Sequence, residues 1–346
     1  MNKHQPHDLK QMQSLPLEAK IIMTQQRIRQ WYDYWDGEVY VSFSGGKDST
    51  VLKHLVENTP GVYDVPSLFV NTGLEYPEIQ KFAMSQPNVI TVRPEMRFDE
   101  VIKKYGYPVI SKDISTCIKW AKTGSKSRIA RLNGTCTMKD GRPSMFNCTK
   151  WKFMLDAPYE VGADCCKVMK KKPSAKYEKE TGRKPMLGLM ADESIKRRDA
   201  WMKTGCNAFD IKRPQSQPIA FWTEQDVLHY IKKYNIPYCS VYGDIVNRGT
   251  DGNLYYLTTE YMEMMYELGS QLDLTTTGCD RTGCIFCMFG CHLEKEPNRF
   301  QRLKETHPRQ YNYCINGGEM VDGKWQPNKE GLGLGYVLDY IGVKYE

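Results

Sequence analysis

The chain has 346 residues, 40% hydrophobic and 26% charged, enough for one large core or for one core with an appendage. No apolar run approaches the roughly 18 residues that span a bilayer, and Met1–Pro16 lacks an apolar signal core, so a cytoplasmic protein without membrane contact is expected. Twelve cysteines in an unexported chain argue against a disulfide scaffold and for metal or redox chemistry, and the net charge of +7 points to anionic partners.

Residues 1–37 read as an N-terminal helical extension. Leu17, Ile21, Ile28, Trp31 and Trp35 recur at helical spacing and would pack on the domain that follows. In residues 38–116, Val39, Val41 and Phe43 alternate with Tyr40 and Ser42 as in a buried strand. From Ser49 onward, Val51, Leu52, Leu55 and Val56 recur at helical spacing. The stretch between reads Ser42-Phe43-Ser44-Gly45-Gly46-Lys47-Asp48-Ser49. A strand that turns through two glycines into a helix aims backbone N–H groups and the positive end of the helix dipole at one spot. Gly45 and Gly46 allow close approach to an anion, Lys47 adds charge, and Asp48 or Ser49 can cap the helix. The Walker-type loop is excluded, because it needs four residues between its first Gly and its Gly-Lys pair.

A second junction runs from the strand Ser67–Val70 through Asn71-Thr72-Gly73 to Pro77, a residue suited to a first helical turn. The strand Val89–Val92 and a helix around Phe98–Tyr105 follow. Strands alternating with helices imply an α/β fold with a parallel sheet, its ligand at the strands' carboxyl ends.

From residue 117 to 163 the rhythm is lost, and this stretch reads as a basic insertion. Trp120, Phe146, Trp151 and Phe153 are scattered among its Lys and Arg. Between Cys117 and Lys184 there are 17 Lys and Arg against 6 Asp and Glu, a net +11; the remainder has 31 against 35, or −4. Basic residues interleaved with aromatics can hold nucleic acid; a solvated face or a loop covering the site is the alternative. Residues 164–245 resume the α/β pattern with the strand Met186–Met190, which contains Gly188. Glu193-Ser194, Arg197 and Arg198 follow, and Thr223 with Asp226 offers a helix N-cap. Residues 246–346 form a cysteine-rich region, in which Glu296-Pro297 opens a late helix ending near His307.

Cys165 and Cys166 are adjacent, and Cys279, Cys284, Cys287 and Cys291 fall within 13 residues. The pair Cys284-Ile285-Phe286-Cys287 can present two thiolates to zinc or to an iron–sulfur cluster, or act as a redox dithiol.

The string Ser44–Ser49 resembles the pyrophosphate-binding loop of the N-type ATP pyrophosphatases, which include the phosphoadenosine phosphosulfate (PAPS) reductase family. The likeness extends from Val39 to Cys291 through Asn71-Thr72-Gly73, the cysteine pair, Gly188, Glu193-Ser194 with Arg197, Trp222-Thr223 and the second cysteine pair. It implies a doubly wound parallel sheet of the adenine nucleotide alpha hydrolase type. It also implies a nucleotide site built from Ser42, Phe43, Ser44, Gly45, Gly46, Lys47, Asp48, Ser49, Asn71, Thr72, Gly73, Gly188, Arg197 and Arg198. Lys47, Asp48 and Arg197 would serve catalysis on ATP, or on adenylylsulfate (APS) or PAPS, with Mg²⁺ as the expected counter-ion. Cys165-Cys166 with the distant pair resembles the cysteine motif of APS reductases and implies a 4Fe–4S cluster on Cys165, Cys166, Cys284 and Cys287. Cys279, Cys284, Cys287 and Cys291 instead resemble the ligand set of the sulfurtransferases of DNA phosphorothioation, and structural zinc is a third reading.

Three departures from the family pattern stand out. Asn71 replaces the Asp of many members, and the basic insertion has no counterpart in a minimal reductase. The Glu-Cys-Gly-type motif that carries the reductase nucleophile is not found in Leu338–Glu346, and the last cysteine is Cys314. Adenylation by ATP coupled to sulfur transfer is therefore expected ahead of APS or PAPS reduction, with a non-catalytic nucleotide-binding subunit as a third reading. Nucleic acid (DNA or tRNA) or a sulfur-donor protein is the expected macromolecular partner, and a homo-oligomer is compatible with the sequence.

Overall fold

The computed structural model describes residues 2–258, 261, 262, 264, 265 and 272–346. The chain divides into two compact units, Met1–Val92 with Ser174–Thr282 and Arg93–Pro173 with Gly283–Glu346.

The first unit is built on a six-stranded sheet in the order Val89–Val92, Ser67–Val70, Val39–Phe43, Lys184–Leu187, Gln215–Ser216, Asn207–Ala208. Neighbours are parallel except the last pair, an antiparallel edge. The fold is thus α/β with a mostly parallel central sheet, as a near-continuous apolar strand such as Val39–Phe43 requires when both faces are covered. The helix Lys47–Glu57 buries Val51, Leu52, Leu55 and Val56, the residues whose spacing marked it. The helix Leu17–Tyr34 buries Leu17, Ile21, Ile28 and Trp31 in the same core, with Trp35 packed at its edge. Lys20 in its first turn makes a buried ion pair with Asp226 at 2.7 Å, and Thr24 accepts the Trp222 indole N–H at 2.9 Å. Thr223 and Asp226 cap the helix Glu224–Lys233 reciprocally, as their spacing predicts.

In the second unit the short strands Val109–Ile110 and Met288–Phe289 pair in parallel. The segment expected to be irregular carries the helices Lys112–Lys122 and Lys126–Asn133. Cys117, Ala121, Leu132 and Cys148 give them a small core of their own. The late helix is two, Arg299–Thr306 capped by Asn298 and Pro308–Ile315. No helix among the described residues is long and apolar enough to cross a membrane.

Candidate functional site

The strand order reverses at Val39–Phe43, whose neighbours Ser67–Val70 and Lys184–Leu187 lie on opposite sides. Such a switch leaves a crevice beyond the strands' carboxyl ends. The loop after Phe43 and the first turn of the helix Lys47–Glu57 occupy that point, with Ser42 and the buried Phe43 at the strand's end. Gly45 has φ 72°, and a Cβ there would lie 3.1 Å from Ala83 Cβ and Ile79 Cγ2. Both backbone and space demand glycine. Gly188, just past Lys184–Leu187, lies against the helix start, where a Cβ would stand 3.1 Å from the Asp48 carbonyl oxygen and Ser49 Cα.

The helix begins at Lys47 with Gly46 as its N-cap, and no side chain caps it. Asp48 and Ser49 therefore do not have the capping role open to them in the sequence, because both sit inside the first turn. The Ser49 hydroxyl instead donates back to the Gly46 carbonyl at 2.9 Å and accepts the Ser44 N–H at 3.2 Å, which prefolds the loop.

Lys47 is buried, and its ammonium donates to Glu224 Oε1 at 2.6 Å and to the Asp280 carbonyl. Its backbone N–H donates to the Tyr242 hydroxyl at 3.2 Å, which lies 2.6 Å from the Thr282 hydroxyl. Asp48 Oδ1 is buried with no hydrogen-bond partner. Burial pushes the Asp48 carboxyl above its usual range, against the pull of Lys47, Arg281 and Arg197. Glu193 carries two guanidiniums, Arg197 on Oε1 and Arg281 on Oε2, the latter at 3.2 Å. Burial lowers the Arg197 pKa, and the neighbouring Arg281 charge lowers it further. Ser194 caps the helix Ile195–Thr204 by accepting the Arg197 N–H at 3.3 Å, whereas Arg198 is exposed at the next position.

Asn71 is buried and folds its own turn, its Oδ1 accepting from the Gly73 N–H at 3.2 Å and from Gln80 at 2.8 Å. Thr72 is bound to Glu75 through both its N–H and its hydroxyl. Gly73 has φ 73° with open space around it.

In the second unit, Cys165 and Cys166 precede a π turn at Lys167–Lys171, a rare conformation frequent at functional sites. The Cys166 thiol is pulled below its usual range by the Cys165 thiol bonded to it, with Lys112 and Lys170 adding positive charge. Cys165 is raised by that same hydrogen bond and by burial, with Cys166, Cys287 and Cys284 contributing repulsion. Burial raises Cys287, which also feels Arg299, Cys166 and Lys112. The four cysteines thus share one electrostatic neighbourhood with three cations. Among the described residues no group of three or more His, Cys, Asp or Glu side chains is gathered closely enough to hold a metal ion. Ile110 has φ 62°, where a β-branched residue is strained, just before the helix that carries Lys112.

Cys291 is buried and its thiol donates to the Met288 carbonyl at 3.0 Å, with burial pushing its pKa up to about 12. Cys279 belongs to the first unit and acts on Cys239. Cys314 is fully buried, and burial holds its thiol well above the usual range.

The family model of the phosphoadenosine phosphosulfate reductase domain matches residues 38–142 and 144–288. The chain belongs to that family. Membership supports a nucleotide-binding, sulfur-related function for this PAPS reductase domain. No curated protein matches the chain. Among solved structures it is similar to the PAPS reductase of Candida auris in a phosphate complex. That likeness has 16% identity over 66% of this chain and 91% of that one, with a TM-score of 0.36. It is also similar to the FMN adenylyltransferase of Candida glabrata in complex with ATP, with 11% identity over 68% of this chain and 64% of that one, and a TM-score of 0.38.

In this PAPS reductase domain the sequence pattern misses Glu224, Tyr242 and Asp280, which bond to Lys47, and Arg281, which shares Glu193 with Arg197. A signal existed for one of them: Arg281 stands three residues before Cys284, beside the Thr282-Gly283 that the family likeness already covers.

Proposed function

We propose that the chain is an adenine-nucleotide-dependent sulfur-handling enzyme, in which ATP adenylates an acceptor and a sulfur nucleophile then displaces AMP. One observation carries the reading: Asp48 keeps a buried, unpartnered carboxylate oxygen at a strand-to-helix turn, within range of Lys47, Arg197 and Arg281. Cations and helix N–H groups of this kind suit a polyphosphate.

In the first half-reaction an acceptor oxygen attacks the α-phosphorus, the bond to the β-phosphate oxygen breaks, and pyrophosphate leaves with the electron pair. The Ser44–Ser49 loop with Lys47 and Arg197 stabilises the charge that develops there. In the second, a sulfur at the hydrosulfide level attacks the acceptor carbon or phosphorus that bears the adenylated oxygen, the bond from that atom to the oxygen breaks, and AMP departs with the oxygen and the electron pair. No net oxidation occurs. The open oxygen of Asp48 fits Mg²⁺, which would neutralise phosphate charge when bound.

Cys165, Cys166, Cys284 and Cys287 fit a 4Fe–4S cluster, with Lys112, Lys170 and Arg299 offsetting the thiolate charge. Four thiolates fit either a tetrahedral zinc or a 4Fe–4S cluster, and the likeness of the paired-cysteine motif to that of APS reductases favours the cluster. A bound cluster would supply a place for sulfide or for electron transfer. Nucleic acid, or a sulfur-donor protein, is the proposed macromolecular partner, on the strength of the net +11 segment.

The test is to incubate anaerobically purified protein with ATP, APS or PAPS, adding sulfide and DNA or tRNA to the ATP arm. Pyrophosphate and AMP from ATP support the reading. Sulfite from APS or PAPS replaces it with a reductase, for which the buried Cys314 is a poor nucleophile.

A further inference from the structure

We infer that Arg281 is a second anion-binding residue of the nucleotide site, and that Glu193 is the positioning residue presenting Arg281 and Arg197 as one two-guanidinium clamp. The inference rests on the adenine-nucleotide reading above and names the part of the nucleotide that the clamp takes: the multiply charged phosphate end.

The geometry begins with Glu193. Its Oε1 receives Arg197 and the Met190 N–H at 3.0 Å, while its Oε2 receives Arg281 at 3.2 Å. One carboxylate shared by two guanidiniums leaves a net positive charge. That surplus is felt on both sides, because Arg281 lowers the Arg197 pKa and both arginines pull on Asp48. Arg281 is also held on both flanks. The carbonyl of Asp280 before it accepts from Lys47, and the hydroxyl of Thr282 after it lies 2.6 Å from the Tyr242 hydroxyl. Tyr242 in turn accepts the Lys47 N–H. The segment Asp280–Thr282 is therefore tied to the phosphate loop itself, and the Arg281 side chain, 63% exposed, remains open to solvent and ligand. A guanidinium has five N–H donors in a planar fork, and Glu193 engages one nitrogen of each arginine, so the rest of each fork can face phosphate oxygens.

The experiment is calorimetric titration of ATP and of AMP into the full chain and into Arg281→Ala, Arg281→Lys and Glu193→Gln, with melting curves for each. Removing a charge-assisted hydrogen bond at the phosphate end should weaken ATP about 10- to 100-fold. AMP should change by about twofold or less, because AMP lacks the β- and γ-phosphates the clamp would hold. Arg281→Lys should recover only part of the affinity, since an ammonium offers no fork. Glu193→Gln should erode the preference for ATP over AMP while the melting midpoint stays in place. A merely structural role would lower both affinities together and move the midpoint. Equal weakening of ATP and AMP, or unchanged ATP affinity in Arg281→Ala, overturns the clamp. Failure of the unaltered chain to bind either nucleotide is a different result: it removes the nucleotide reading, and the clamp with it.

Discussion

The Lys47 ammonium lies 2.6 Å from Glu224 Oε1, so the lysine of the phosphate loop is already paired inside the protein. A phosphate that needs Lys47 must compete with Glu224, whose side chain is half exposed. Pairs with one solvated partner are worth about 1 kcal/mol or less. Glu224→Gln should therefore tighten ATP by up to about fivefold, and Lys47→Ala should weaken it by about 10- to 100-fold. Calorimetry decides. Unchanged ATP affinity in both variants would take Lys47 out of the site.

Gly188→Ala tests the close approach of strand end to helix. The added methyl would stand 3.1 Å from the Asp48 carbonyl oxygen and Ser49 Cα, and these are backbone atoms that cannot swing aside. The helix start must shift, so ATP affinity should fall while the melting midpoint drops only slightly. Gly45→Ala should do more, because its φ of 72° adds a strain of about 1–2 kcal/mol to the steric conflict. Wild-type affinity in Gly188→Ala would mean that the turn does not touch the nucleotide.

The parts legible in the sequence are those whose physics is local. Gly45, Gly46 and Lys47 sit in one string, Pro77 opens its helix, and the Thr223–Asp226 capping box announces its own. Tyr242 and Glu224 were not legible. They reach Lys47 from 195 and 177 residues away, and neither carries a pattern of its own. The helices Lys112–Lys122 and Lys126–Asn133 escaped for another reason. Their buried faces mix Ser115, Cys117 and Ala121 with Ile118 and Leu132, while Trp120 and Ile129 face solvent, so the apolar period is blurred.

Protein purified without oxygen should be brown, with the visible charge-transfer absorption of iron–sulfur clusters. Cys284→Ala and Cys287→Ala should bleach it. Cys166→Ala should also lose iron, whereas Cys291→Ala should keep it, since that thiol is engaged by the Met288 carbonyl. Iron retained in Cys166→Ala but absent from Cys291→Ala would exchange one ligand set for the other. Colourless protein with stoichiometric zinc would replace the cluster altogether.

Stability should fall in mild acid because of His229. Burial lowers its pKa from 6.5 to about 4, with Asp226 opposing and Lys20 reinforcing that shift. The unfolded chain binds a proton that the folded chain refuses. The stabilising contribution is therefore complete above pH 6.5 and is lost as pH falls toward about 4. The full effect is of order 3 kcal/mol. Denaturant titrations of His229→Gln should show a shallower decline across that window, and an identical decline would assign the acid sensitivity to carboxylates instead.

If the basic segment tracks a nucleic acid backbone, binding should weaken steeply with salt, because each neutralised phosphate releases counter-ions. The choice of lysines matters. Arg131 is buried on Asp113 and the Phe146 carbonyl, and Lys119 is paired with Asp164, so reversing either charge would disturb the unit itself. Lys126, Lys139, Lys150 and Lys152 are exposed, the third standing 5.0 Å over the Trp151 ring. Changing them to Glu should flatten the logarithmic salt slope on a single strand by about 0.7 for each phosphate no longer neutralised, with ATP affinity unaltered. Gel shifts with single-stranded DNA and with tRNA across a salt series provide the measurement. A slope unchanged by the four substitutions would move the nucleic acid to another face. An absence of binding at low salt would leave a sulfur-donor protein or a small acceptor as the partner.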